Sequence, residues 1–144
     1  MNIIIDLDGT LCDNKHREHL IKQAKPDWDA YFLACGADTP MRPTISAAQF
    51  WAHAGQRIII LSGRGEIARA HTENWLALYR VPYNELLMRP IGDFTPDEQL
   101  KWQWAVELGL TPANTFVVLD DRDKVVRMWR EGGFTCWQVA PGDF

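Results

Sequence analysis

Two aspartates, Asp6 and Asp8, follow the apolar run Ile3-Ile4-Ile5 and stand one residue apart, just ahead of Gly9-Thr10. On an extended segment residues i and i+2 share a face, so both carboxylates can look into one crevice. A second acidic pair, Asp120-Asp121, follows the apolar run Phe116-Val117-Val118-Leu119. Four carboxylates gathered at one place repel by several kcal/mol at an effective dielectric of about 20. Either some of them take up protons or a cation sits among them. Hard oxygen donors on a rigid sheet favour Mg²⁺. Ser62, Arg64 and Lys101 add a hydroxyl, a planar guanidinium and a point cation, a set that suits a phosphate held over the metal. One aspartate can then attack phosphorus as nucleophile. The other can protonate the leaving oxygen and afterwards activate water.

These residues must be placed by the elements between them. Short apolar runs at 3–5, 57–61, 115–119 and 135–139 read as strands, and 85–88 is a further candidate. The runs are too apolar to alternate, which predicts a parallel sheet covered on both faces. Helical patterns lie between them at 44–54, with Thr44 as N-cap, at 66–79, at 95–108, with Thr95 as N-cap and Pro96 in the first turn, and at 123–130. The alternation predicts a single α/β domain over residues 1–144, with five strands and helices on both faces. Residues 11–39 are polar and read as two short helices without a strand. They form a small insertion after the first strand, a candidate cap. Open sheets of this kind bind ligands beyond the carboxyl ends of their strands, which is where the acidic pairs and Ser62 fall.

The chain of 144 residues is 47% apolar with a net charge of −4. That balance argues against a nucleic-acid coat protein but leaves room for a local basic pocket. Three cysteines, Cys12, Cys35 and Cys136, form no CxxC pair and predict free thiols. No apolar run approaches the ~20 residues of a membrane span, and no signal peptide is evident. The expected compartment is the cytoplasm.

Competing uses of the same residues are less well supported. Cys12, His16 and His19 lack a fourth zinc ligand. Leu61-Ser62-Gly63-Arg64-Gly65 is not a nucleophile elbow. Trp102 and Trp104 face different ways on a helix, while Trp75, Trp129 and Trp137 suit the core. Trp28, Tyr31 and Phe32 either pack inward or roof the crevice.

Asp6-Leu7-Asp8-Gly9-Thr10 resembles the DxDGT signature of the haloacid dehalogenase superfamily, and Ser62, Lys101 and Asp120-Asp121 resemble its later motifs in the same order. The stretch from Leu119 to Phe144 is similar to the end of the 3′-phosphatase domain of phage polynucleotide kinase/phosphatases. The resemblance implies a Rossmann-like fold with a minimal cap. It also implies Asp6 as nucleophile, Asp8 as general acid/base, and Mg²⁺ held by Asp6, the Asp8 carbonyl, Asp120 and Asp121. Ser62 and Lys101 would grip the phosphoryl group. Thr10, Arg17, Gly63, Arg64 and Asp97 would form the substrate-binding set. No GxxxxGK[ST] loop is present, so no kinase domain is expected.

The activity these features imply is a Mg²⁺-dependent phosphomonoesterase acting through an aspartyl-phosphate on 3′-phosphorylated DNA or RNA ends. A separate kinase or ligase is its implied partner, and no membrane is involved. A nucleotidase for free nucleoside monophosphates is the alternative, and a non-catalytic phosphate-binding module is a second one. The short insertion favours an open site that a polymer end can enter.

Overall fold

The computed structural model describes all 144 residues, Met1–Phe144. Five strands, β1 (Asn2–Ile5), β4 (Arg57–Gly65), β5 (Glu85–Arg89), β6 (Thr115–Asp120) and β7 (Cys136–Gln138), form one sheet in the order β5-β4-β1-β6-β7. All its neighbours run parallel. A two-residue ribbon, β2 (Cys12–Asp13) with β3 (Thr39–Pro40), is antiparallel and separate from the sheet. The helices are α1 (His19–Lys22), α2 (Trp28–Leu33), α3 (Arg42–His53), α4 (Arg69–Leu78), α5 (Asp97–Glu107) and α6 (Asp123–Glu131).

Strand β1 is central, and its alternate side chains serve two cores. Ile3 and Ile5 face a cluster with Ile45 and Ala48 of α3 and Trp75 and Leu76 of α4. Ile4 faces the other cluster, with Leu100 and Trp104 of α5 and Val125 and Trp129 of α6. Burial on both faces explains why these strands read as unbroken apolar runs. Ile5 pairs with Ile60 on one side and Leu119 on the other. The next residue, Asp6, is therefore level with Leu61 and Asp120 at the carboxyl edge.

The predicted insertion 11–39 contains the two short helices, α1 and α2, but it also contains the ribbon that the sequence did not suggest. Cys12 opposite Pro40 and Asp13 opposite Thr39 close the insertion into a loop with a fixed neck. Two-residue strands carry no periodicity, so pattern reading cannot find them. Helix α2 packs on the turn at Glu66–Ala68 and on the end of β4, which sets the cap beside the strand ends.

Other boundaries differ in detail. Thr44 is not a cap. Helix α3 starts at Arg42 with Pro43 in its first turn, and Thr44 is buried inside it. A proline needs no hydrogen-bond acceptor in that turn. Helix α5 starts at Asp97, and Pro96 is extended rather than helical. The helix predicted over 66–79 begins as a 3-10 turn, Glu66–Ala68, before α4. Trp75 and Trp129 are in the core as expected. Trp137 is half exposed and leans on Trp51 at 6.1 Å between ring centroids. No helix is long and apolar enough to cross a membrane.

Trp129 is fully buried, and its indole N–H has no acceptor. Replacing it with alanine removes a large apolar volume and is expected to cost about 3–5 kcal/mol in urea unfolding. Trp129→Phe loses no hydrogen bond and is expected to cost less than Trp129→Ala; equal costs would show that the polar edge of the indole matters after all.

Candidate active site

The turn after β1 is tightly wound. The backbone N–H groups of Thr10, Leu11 and Cys12 all donate to the Leu7 carbonyl, at 3.0, 2.9 and 3.2 Å. Gly9 has φ +82°, and a Cβ there would lie 2.0 Å from Asp121 Oδ2. Glycine is therefore required twice, for the left-handed backbone and for the close approach of Asp121. The Asp8-Gly9-Thr10 backbone is thus laid directly against the carboxylate that follows β6.

Asp6, Asp120 and Asp121 are all buried, and they offer carboxylate oxygens within 4.8 Å of one another. One cation serves them. Lys101 Nζ, itself buried on α5, donates to Asp6 Oδ1 and to Asp120 Oδ2, each at 2.7 Å. Thr10 Oγ1 donates to Asp6 Oδ2 at a longer 3.3 Å. Burial and the neighbouring carboxylates push Asp6 well above the usual carboxylate range, against the pull of Lys101. Burial and Asp120 push Asp121 up to about 7. Burial works against the Lys101 ammonium, but Asp120, Asp6 and Asp97 outweigh it and hold its pKa above the ordinary lysine value. Three carboxylates against one ammonium leave an excess of negative charge in a dry place. Oxygen donors alone, closely grouped and undercompensated, fit a hard divalent cation.

Asp8 has the opposite surroundings. Its Oδ1 accepts from Arg17 Nη2 and from Arg64 Nη2, the latter at 2.7 Å. Burial pushes its carboxyl up, but Arg64 and Arg17 more than reverse this and hold it well below the usual range. Both guanidiniums are pinned from behind by Asp38. Its Oδ1 accepts from Arg17 Nε at 2.8 Å, and its Oδ2 accepts from Arg17 Nη2 at 2.7 Å and lies 3.5 Å from Arg64 Nη2. Arg17 also lies over the Tyr31 ring, 4.3 Å from its centroid, and donates to the Tyr31 carbonyl. Arg64 Nη1 donates to Thr72 Oγ1 at 2.9 Å. Two carboxylates and two guanidiniums balance, so the Asp8-Cys12-Asp38 group has no surplus charge for a metal.

Ser62 is fully buried in the last part of β4, where its Oγ accepts from the Arg64 N–H at 3.1 Å. The next residue, Gly63, is a second close approach, since a Cβ there would lie 2.3 Å from Asp97 Oδ1. Asp97 does not bond Lys101. It accepts from Arg89 Nη2 on one oxygen and from Arg122 Nη1 on the other, at 2.6 Å for the latter.

The chain therefore brings Asp6, Asp120, Asp121 and Lys101 into one cluster, with Thr10 and Gly9 on its wall and Asp8 beside it. Arg17, Arg64 and Asp97, expected to touch substrate, also bond within the protein, both guanidiniums to Asp8 and Asp97 to Arg89 and Arg122. Three residues of this network were not singled out in the sequence. Arg122 directly follows the second acidic pair, and Arg89 ends a strand, which are usable signals. Asp38 has none, because it reaches Arg17 only through the return of the cap to its ribbon. The zinc reading also lapses, since Cys12 sits beside Arg64 and His16 contacts Asp38 at 2.6 Å. All three cysteines are free and buried.

The family model for the phosphatase domain of polynucleotide kinase PNKP matches residues 1–144. A protein of Autographa californica nuclear polyhedrosis virus, named for bifunctional polynucleotide kinase/RNA ligase activity, is 30% identical over 131 residues, covering 90% of this chain and 18% of its own. A chain in the Pnkp1/Rnl/Hen1 complex superposes with a TM-score of 0.85 at 33% identity, over 99% of this chain and 46% of that one. A haloacid dehalogenase-like hydrolase from Streptococcus pneumoniae shares the fold at 13% identity, with a TM-score of 0.67 over 97% of this chain and 86% of that one. The chain thus spans less than half the length of the first two relatives.

Asp38 holds two buried guanidiniums, so Asp38→Asn should leave them undercompensated. A loss of about 3–5 kcal/mol in urea unfolding is expected. The exposed control Asp143→Asn should stay within about 0.5 kcal/mol of the parent. A change at Asp38 no larger than that of the control would show that the clasp does not need its charge.

Proposed function

The chain belongs to the polynucleotide kinase PNKP phosphatase-domain family and, proceeding from that, we propose that it removes 3′-phosphates from nucleic-acid ends by way of an aspartyl-phosphate on Asp6. Residues 1–144 act in this reading as one phosphatase domain, with the cap near 11–39 and no kinase site of their own. Asp6, Asp120 and Asp121, with the Asp8 carbonyl, would hold Mg²⁺, which supplies positive charge against the phosphoryl oxygens when bound.

The chemistry follows from how the side chains are held. Lys101 fixes Asp6 through Oδ1 and leaves Oδ2 only weakly bonded, so Oδ2 is the oxygen available to attack phosphorus. As the new P–O bond forms, the bond from phosphorus to the sugar O3′ breaks. That oxygen takes a proton from Asp8 and leaves as a 3′-hydroxyl. Arg17 and Arg64 occupy Asp8 Oδ1, which leaves Oδ2 to carry the proton. The guanidiniums favour the Asp8 carboxylate, whereas the incoming phosphate dianion favours its protonated form. The carboxylate then accepts a proton from the water that attacks the aspartyl-phosphate, the bond to Asp6 breaks, and phosphate departs. Ser62 and Lys101 stabilise the transferring oxygens. Thr10 and Gly63 shape the pocket, and Arg17, Arg64 and Asp97 position its charged groups.

One observation carries the polynucleotide reading over the nucleotidase. Arg89 and Arg122 meet on the single carboxylate of Asp97 with partly exposed side chains, so two guanidiniums share one acidic side chain beside the carboxyl end of the sheet. A free mononucleotide has one phosphate for the catalytic cluster and nothing for this pair. A strand end has further phosphodiesters, which paired guanidiniums suit. The relatives named for polynucleotide kinase, RNA ligase and RNA repair favour an RNA end, and kinase and ligase activities as its working partners.

The test is a substrate panel with Mg²⁺ and a chelator control. It comprises 3′-phosphorylated RNA and DNA oligonucleotides and the 3′- and 5′-mononucleotides. Oligonucleotides should exceed mononucleotides in kcat/KM by about tenfold or more, about 1.4 kcal/mol in the barrier. Arg89→Ala/Arg122→Ala should erase that margin, and Asp6→Asn should abolish turnover. Preference for a 5′-mononucleotide would favour the nucleotidase, and absence of any turnover the non-catalytic module.

A further inference from the structure

Each arginine of the rim pair also grips the backbone beside an exposed phenylalanine. In the loop after β5, Arg89 Nη1 donates to the carbonyls of Asp93 and Thr95, at 3.2 and 2.5 Å. These two residues flank Phe94. The loop is further fixed by the Thr95 N–H on Asp93 Oδ1 at 2.8 Å and by the Asp93 N–H on the Pro90 carbonyl at 3.1 Å. Phe94 is nevertheless 91% exposed. On the other side, Arg122 Nε donates to the Phe144 backbone oxygen at 3.0 Å, and its guanidinium lies 5.5 Å from the centre of the Phe144 ring. Phe144 is 62% exposed. The segment before it is anchored to the acidic loop, with the Asp123 N–H on the Gly142 carbonyl at 2.7 Å and the Val139 N–H on the Asp120 carbonyl at 3.1 Å.

Trp28, which is also exposed, leans on Tyr31 and Phe32. Phe94 stands in water while the backbone on both sides of it is clamped. The Phe144 ring thus lies beside Arg122, and Phe94 projects from backbone held by Arg89, the two guanidiniums that converge on Asp97. Proteins that bind single strands combine these two elements, cations that follow the backbone and aromatic faces on which bases stack.

We propose that Phe94 and Phe144 are the stacking platform for the bases just upstream of the 3′-phosphorylated end, while Arg89 and Arg122 hold the phosphodiesters between them. This inference rests on the polynucleotide reading and adds how the strand is held. Stacking uses the face of any base, so the platform tolerates all sequences. It acts on binding, before the bond-breaking steps at Asp6, and leaves those steps unaltered.

The experiment compares the parent with Phe94→Ala, Phe144→Ala and the double variant. The substrates are a single-stranded 3′-phosphorylated RNA hexamer, the same hexamer lacking bases at the two positions before the terminal nucleotide, and p-nitrophenyl phosphate. Both rings are exposed, so the variants should keep the parent melting temperature. For the complete hexamer, the double variant should raise KM about tenfold with kcat unchanged, and turnover of p-nitrophenyl phosphate should not move. The parent should show the same raised KM on the hexamer lacking bases, and the double variant should not distinguish the two hexamers. If the parent prefers the hexamer to mononucleotides but the double variant keeps the parent KM, the platform is refuted and the polynucleotide reading stands. If the parent shows no preference for the hexamer at all, that reading fails and the platform with it.

Discussion

Three buried carboxylates, Asp6, Asp120 and Asp121, share one ammonium, that of Lys101. At their spacing each pair of ionised groups repels by roughly 3 kcal/mol at an effective dielectric of about 20. A fold would not keep such a cluster without something that answers its charge. A proton can answer part of it, since burial and the neighbouring carboxylates raise Asp6 and Asp121. A divalent cation answers it more fully and in addition leaves Asp6 ionised, which a nucleophile requires. Asp8 faces the reverse condition, with Arg17 and Arg64 on one oxygen and Asp38 fastening both from behind. Two carboxylates two residues apart are thus given opposite electrostatic surroundings.

The scaffold meets these demands by placing each charged group on an element that cannot drift. Asp6 and Asp120 extend adjacent central strands whose register is fixed by apolar side chains on both faces. Lys101 comes from α5, whose buried Leu100 and Trp104 pack under the same sheet. Asp38 returns from the cap through the ribbon of β2 and β3, and the Trp75 indole donates to its carbonyl at 2.9 Å. Gly9 and Gly63 make room where carboxylates come closest to the backbone.

Much of this was legible in the residues themselves. An apolar run that stops at Asp6, and another that stops at Asp120, mark the carboxyl edge of a parallel sheet, because buried strands tolerate charge only where they end. Arg17 and Arg64 drew notice as cations near the acids, but a sequence does not say whether a guanidinium faces a ligand or a neighbouring carboxylate. Their burial and their bonds to Asp8 arise from the folded cap and the end of β4, which the sequence does not display. Asp38 could not be found because the ribbon that delivers it is two residues long on each side. Thr44 misled because Pro43 can open a helix as readily as a threonine can cap one. Trp137 misled because a tryptophan on the outermost strand has sheet on one side only.

In the proposed function the carboxylate cluster holds a divalent cation, and protons compete for the same place. With Asp121 pushed up to about 7, the folded metal-free protein keeps a proton that the unfolded chain has released above about pH 4. That stabilisation is complete below the unfolded value and is lost as pH rises through the folded one. The decisive measurement is the melting temperature between about pH 5 and about pH 8, with and without Mg²⁺. The metal-free protein should melt at progressively lower temperature as pH rises, and the gain on adding Mg²⁺ should grow over the same interval. A melting temperature that Mg²⁺ leaves unmoved at the alkaline end would contradict the claim.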